Sequence, residues 1–251
     1  MSGLALIATL VASVLLTSFI SGLFGMAGGL ILLGILVALM PVNAAMVLHG
    51  LIQLVSNGWR AWLWRGHILW SVVLRFATGA ALVFALMWAL QLVLPKPFLL
   101  IALGLLPFTQ YAVPKNRRLD ITKPFIAPVC GFFTTLTHLL AGVSGPVLDQ
   151  FFVNSALDRR QQVATKAATQ TLAHPLKVIY FGSFGLDAFS NGALPWWGIA
   201  LCLLAAMLGN TLAAKPLEAL SNLQFRRYTQ TLLALIGLFY LGQGLYLLLG
   251  H

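Results

Sequence analysis

The chain has 251 residues, of which 60% are hydrophobic and only 8% are charged, and its formal net charge is +10. About a quarter of the residues of a soluble domain are charged, so this composition excludes an ordinary soluble enzyme and a disordered chain. A membrane-crossing helix needs about 20 apolar residues, and the supply here fills most of the chain, so the sequence predicts a polytopic membrane protein.

Apolar runs separated by polar or proline-containing breaks divide the chain into ten segments. They lie at about 3–20, 23–40, 44–64, 68–94, 97–113, 124–141, 145–153, 161–182, 194–213 and 228–249. The alternation of polar and apolar residues that a membrane barrel requires does not occur. The predicted fold class is therefore all-α, a transmembrane bundle of about eight to ten segments.

The first two segments are separated by a run of small residues. Gly25, Gly28 and Gly29, with Met26 among them, interrupt the apolar sequence. Glycine lets the backbone leave helical geometry, and a broken helix exposes N–H groups that suit an anion. Gly25 and Gly29 also have the spacing of a tight helix crossing, which is the alternative explanation.

Four short clusters of basic residues predict the topology. They are Arg60 with Arg65, the basic residues of 115–123, Arg159 with Arg160, and Lys215 with Arg226 and Arg227. Because cytoplasmic loops are rich in Lys and Arg, all four are placed inside and both termini outside. Their dispersal between apolar runs also argues against a nucleic-acid partner. The predicted division is a membrane repeat at 1–113, a cytoplasmic loop at 114–123 and a second repeat at 124–251.

A shift of 117 residues superimposes the two halves. It brings residues 25–29 onto 142–146, where Gly142, Ser144, Gly145 and Pro146 form a second candidate break. Five segments in each half is an odd number, so the halves are predicted to cross the membrane in opposite directions. Such inverted repeats are typical of secondary transporters.

A polar stripe follows each break. The first stripe is His49, Gln53 and Asn57, and the second is Lys166, Gln170 and His174. The spacing of four residues puts each set on one helix face, and the same shift superimposes them. Polar groups in a membrane face inward, so the stripes are predicted to line a substrate pathway. Hydrogen bonds that merely hold the bundle together are the alternative.

The charges within the apolar segments are mostly positive, which favours an anionic substrate. Lys166 is expected to act on the substrate. Lys177 and Arg60 lie about one turn from a helix end and are expected to snorkel to the interface. Asp149, with His174 or His49, is a candidate for holding a coupling proton.

One catalytic alternative remains. Gly142 to Gly145 fits the GxSG pattern of rhomboid intramembrane serine proteases, with Ser144 as nucleophile and His174 as the general base. Against it, Ser144 corresponds to Ala27 in the first half, which favours a role as a small residue.

The residues 21–29, the stretch from His49 to Asn57 and the turn 65–68 together resemble the TauE/SafE family of sulfite exporters. Residues 165–177 resemble the second repeat of that family. The resemblance implies a duplicated helical permease, a secondary carrier that moves anions such as sulfite, sulfonates or sulfoacetate across the bacterial inner membrane.

The sequence therefore predicts a multi-pass permease of the bacterial inner membrane that moves a small anion by alternating access, with an anion channel as a further alternative. No catalytic residue, metal site or cofactor is predicted. The expected partners are the anion and the lipid bilayer, while a coupling proton and a homodimer are left open. The candidate substrate-binding residues are Gly25, Met26, Gly28, Gly29, His49, Gln53, Asn57, Gly142, Ser144, Gly145, Lys166, Gln170 and His174.

Overall fold

A computed structural model describes residues 3–24, 27–109, 119–152, 155–183, 194–219 and 222–250 of the chain. The first half contains α1 (Gly3–Phe24), α2 (Ala27–Leu39), α3 (Val42–Leu63), α4 (Trp70–Leu90) and α5 (Lys96–Leu105). The second half contains α6 (Ile126–Ala141), α7 (Gly145–Phe152), α8 (Arg159–Gly182), α9 (Trp196–Ala219) and α10 (Asn222–Leu248). Short 3₁₀ turns occupy Arg65–His67 and Leu106–Phe108. The described residues contain no β-strand, so the predicted all-α fold is confirmed.

Each of the ten helices coincides with a predicted segment, but several ends differ. α4 stops at Leu90 because Gln91 adopts a left-handed conformation (φ 53°), and Pro95 precedes α5. α9 and α10 are longer than the apolar runs from which they were predicted, because each continues into a polar sequence beyond its apolar stretch. Hydrophobic runs therefore locate the part of a helix that lies in the membrane rather than its full length.

Within the described part of the chain, four helices are long and apolar enough to cross a membrane: α1, α4, the Trp196–Pro216 part of α9 and the Gln230–Leu248 part of α10. Their large apolar side chains point outward, as shown by Leu74, Leu204 and Leu235, each more than 60% exposed. α3 and α8 are of similar length but carry the polar stripes, which are largely buried. A bundle with polar residues inside and apolar residues outside is a multi-pass membrane protein.

The helices pack as two equivalent halves. α1 packs mainly on α9, and its counterpart α6 packs mainly on α4; α3 contacts α9, and α8 contacts α4. The equivalent helices α3 and α8 pack directly on each other, as do α5 and α10. Each contact between the halves therefore has an equivalent in which the two halves change places, so a pseudo-twofold axis passes between α3 and α8.

The two equivalent central helices run antiparallel. Near one end of their contact, Gly50 of α3 faces Val178 of α8, and near the other end Gly58 faces Thr171. Antiparallel packing of equivalent helices means that one half is inverted relative to the other, as the odd number of segments predicted.

Candidate functional site

Each half begins with two consecutive helices where the sequence predicts a broken one. α1 ends at Phe24 and α2 begins at Ala27, and the predicted break residues Gly25 and Met26 lie outside the described residues. In the second half α6 ends at Ala141, and its C-cap Gly142 has a φ of 79°, in the left-handed region that glycine favours. α7 begins at Gly145, so the second half contains the predicted break.

A cavity lies where the two breaks meet the polar stripes. Its volume is about 30 Å³. It is lined by Ser21, Gly29, Leu30, His49, Gln53, Asn57, His138, Val143, Ser144, Gly145, Pro146, Gln170 and His174. No Lys, Arg, Asp or Glu belongs to this described lining, so its polar groups are hydroxyls, amides and imidazoles.

The lining repeats itself under the shift of 117 residues that relates the two halves. The shift pairs Ser21 with His138, Gly29 with Pro146, Gln53 with Gln170 and Asn57 with His174. The last pair is in direct contact, since Asn57 Nδ2 lies 3.1 Å from His174 Nε2. Two equivalent residues that touch lie at the pseudo-twofold axis, so the cavity lies at the centre of the molecule.

Asn57 fixes the orientation of two neighbouring side chains. Its amide nitrogen donates to Gln53 Oε1 (3.2 Å) and to His174 Nε2. Because that ring nitrogen accepts, the proton of the neutral His174 ring is on Nδ1. Gln53 Nε2 and His174 Nδ1 are both buried N–H groups with no partner among the described residues.

A second hydrogen-bond chain orients His138. Gln170 Nε2 donates to Ser144 Oγ (3.2 Å), and Ser144 Oγ lies 3.4 Å from His138 Nδ1. Because a hydroxyl has one proton and two acceptor lone pairs, Ser144 can donate to Nδ1 or accept from it, and both neutral tautomers of His138 fit this contact. His138 Nε2 is also buried without a partner in the described structure. Two N–H donors and one further imidazole nitrogen at the cavity therefore have no partner among the described residues.

Two basic side chains, Lys177 and Arg60, lie behind the cavity lining. Lys177 Nζ donates to His49 Nδ1 (2.6 Å) and to the Gly142 carbonyl (2.8 Å), while His49 Nε2 donates to the Gly29 carbonyl (2.9 Å). Arg60, the equivalent of Lys177, donates to Ser21 Oγ (3.3 Å) and to the side-chain oxygen Oδ1 of Asn210 on α9 (2.8 Å).

The predicted snorkelling of Lys177 is wrong. Its side chain is completely buried, because Nζ turns toward the break at Gly142 rather than toward the end of α8. Arg60 is partly exposed, but its guanidinium also turns inward to bind α1 and α9.

Lys166, the cation expected to act on the substrate, lies outside the cavity lining. Its Nζ forms a 2.6 Å ion pair with Asp149, and the two side chains are 23% and 42% exposed. Asp149, the candidate for a coupling proton, is therefore paired with this lysine rather than with His174 or His49.

Most of the predicted site residues come together. Eight line the cavity: Gly29, His49, Gln53, Asn57, Ser144, Gly145, Gln170 and His174. Gly28, Gly142 and Lys166 lie outside the lining, and Gly25 and Met26 are outside the described residues. Two lining residues, Ser21 and His138, are not among the predicted site residues, although the shift that aligns the stripes also pairs these two positions.

Comparison with known proteins gives one match. A family model described as sulfite exporter TauE/SafE matches residues 10–240. Neither a curated protein nor a solved structure matches.

Proposed function

The chain belongs to the sulfite exporter TauE/SafE family of membrane transporters, and from this premise we propose that it is a secondary carrier of a small anion. The substrate class is a sulfur oxyanion or a sulfonate, such as sulfite or sulfoacetate, and the membrane is the bacterial inner membrane. The anion binds in the central cavity, which becomes accessible from each side in turn.

The unsatisfied nitrogens of the cavity carry this proposal. Gln53, His138 and His174 are each at most 4% exposed, and each has a side-chain nitrogen without a partner in the described structure, of which those of Gln53 and His174 are N–H donors. A buried polar group that makes no hydrogen bond costs about 1–3 kcal/mol, so it indicates a ligand that completes it. The oxygens of a sulfonate or sulfite accept hydrogen bonds and match this set of donors.

The position of the cavity supports alternating access. Both halves contribute to its lining, and each contributes a helix break next to it. In inverted-repeat carriers the substrate binds between the halves near the membrane midplane, and one half rocks against the other. The pseudo-twofold axis through Asn57 and His174 gives the two access states equivalent geometries.

Counterflow in proteoliposomes tests the carrier. Vesicles preloaded with unlabelled sulfonate are expected to accumulate labelled sulfonate transiently, and the initial rate is expected to saturate with concentration. A carrier shows both behaviours because it binds one anion in each cycle. Conductance that rises without saturation, and without counterflow, would identify a channel instead.

The protease alternative has a separate test. His174, the base that the sequence indicated, is bonded to Asn57, whereas the hydroxyl of Ser144 contacts His138 and Gln170. Ser144→Ala is expected to leave transport in place, with anion affinity reduced by about two- to tenfold because the chain that orients His138 is broken. The purified protein is expected to cleave no membrane substrate either before or after the substitution. Proteolysis that disappears in the variant would support the enzyme.

A further inference from the structure

Lys177 is a fully buried lysine whose charge has no carboxylate partner in the described structure. The sequence contains only five acidic residues. Asp149 pairs with Lys166, Asp158 caps α8, and Asp120 accepts from Thr122. The side chains of Asp187 and Glu218 lie outside the part of the chain that the structure describes. A buried ammonium without an anionic partner is costly, so the charge of Lys177 depends on what else enters the site.

His49 connects Lys177 to the cavity. Lys177 Nζ and His49 Nδ1 lie 2.6 Å apart, and His49 is itself a lining residue. One proton of Nζ lies in the hydrogen bond between the two basic nitrogens. The pair can hold one further proton, and Lys177 is then an ammonium beside a neutral imidazole. The other ring nitrogen of His49 is held by the Gly29 carbonyl, which keeps Nδ1 directed at the lysine.

An anion in the cavity balances the positive charge of Lys177, which has no carboxylate partner among the described side chains. The lining supplies hydrogen-bond donors, but no Lys or Arg belongs to it. Binding of the anion therefore favours the protonated pair, and by linkage the protonated pair favours anion binding to the same extent. When the anion leaves, the ammonium loses one proton to water in the cavity and becomes a neutral amine.

We propose that His49 and Lys177 form the proton-binding site of this carrier, so that one proton travels with each anion. The inference rests on the proposed transport of an anion. It assigns coupling to a residue pair in which each half supplies one member, α3 the imidazole and α8 the amine.

The other ionisable groups near the pair are differently placed. His174, on α8, has its ring centroid 6.2 Å from that of His49, and the ring of His138, on α6, is 4.6 Å from His174; each has a buried ring nitrogen without a partner in the described structure. Arg60 on α3 is partly exposed and stays charged. α2 contains no ionisable side chain. Among the described side chains, the remaining groups on elements packed against α3 and α8 are Arg65, His67, Arg75 and Lys215, all at least partly exposed, and the buried thiols of Cys130 and Cys202.

Calorimetry of the purified full-length protein with methanesulfonate tests the pair. The charge of this probe does not change with pH, so any proton taken up on binding belongs to the protein. Titrations in buffers of different ionisation enthalpy, between about pH 5 and about pH 9, count these protons. The wild type is expected to take up close to one proton per sulfonate in part of this range. Lys177→Met is expected to take up none and to bind at least about tenfold more weakly. The control Lys215→Met, an exposed lysine on α9, is expected to behave as the wild type.

Lys177→Arg keeps a permanent cation and separates coupling from folding. It is expected to bind methanesulfonate without proton uptake at any pH in the range. Proton uptake that persists in both Lys177 variants would overturn the proposal. Uptake lost in Asp149→Asn or His174→Gln but retained in Lys177→Met would do the same and would assign the proton elsewhere. If the wild type binds the sulfonate without proton uptake, only the coupling is wrong, whereas no binding of sulfonate or sulfite contradicts the proposed function itself.

Discussion

Replacing Gln53 with alanine is expected to weaken sulfonate binding by about tenfold to about a hundredfold. Its Nε2 is buried and has no partner in the described structure, while its Oε1 is held by Asn57. A hydrogen bond from a neutral donor to an ion contributes about 1.5–3 kcal/mol, and each 1.4 kcal/mol is a factor of ten in affinity. Calorimetric titration of the purified variant measures the change in Kd.

The equivalent substitution Gln170→Ala is expected to have a smaller effect. Gln170 also lines the cavity, but its Nε2 already donates to Ser144 Oγ, the hydroxyl that contacts His138. Gln162→Ala is the control, because Gln162 is a partly exposed glutamine of the same helix that donates to the Leu157 carbonyl. Equal Kd values for Gln53→Ala, Gln162→Ala and the wild type would mean that the polar stripes only hold the bundle together.

The architecture was predictable because membrane helices have a strong compositional signal. Each helix must hide its backbone from lipid and present apolar side chains, so the ten runs correspond to the ten α-helices of the described residues. The shift of 117 residues was also informative, since it superimposed the polar stripes and identified the breaks. Five of the six stripe residues line the cavity, and the exception is Lys166.

Periodicity could not predict that Lys177, rather than Lys166, lies beside the cavity. Spacing shows which residues share a helix face, but not which part of that face meets the neighbouring helix. In the antiparallel crossing of α3 and α8, His49 of the first half of α3 meets Lys177 near the end of α8, whereas the equivalent residues Asn57 and His174 meet each other at the axis. Residues that are equivalent by the repeat, such as His49 and Lys166, are therefore placed far apart unless they lie at the axis.

Helix breaks create contacts that only the folded structure reveals. Gly28 lies in the first turn of α2, and a Cβ added there would overlap the Thr17 carbonyl oxygen and approach Ser21 N to 2.7 Å. The close approach of α1 and α2 thus depends on the absence of a side chain at this position. Because Ser21 and Gly29 line the cavity, this contact also sets the position of the first half of the site.

Gly28→Ala is accordingly expected to destabilise the protein by about 1–3 kcal/mol and to lower the thermal unfolding midpoint in detergent. Sulfonate affinity is expected to fall as well, by about tenfold or more, because separating α2 from α1 displaces one wall of the cavity. Gly242→Ala provides the matched control, since Gly242 lies within α10 with no atom near its added Cβ. Alanine in that helix interior is expected to be neutral or to stabilise by up to about 1 kcal/mol. If the two variants have the same unfolding midpoint and the same Kd, the α1–α2 contact does not govern the site. A loss of stability and of affinity that is confined to Gly28→Ala would show that the shape of the cavity depends on the absence of one methyl group.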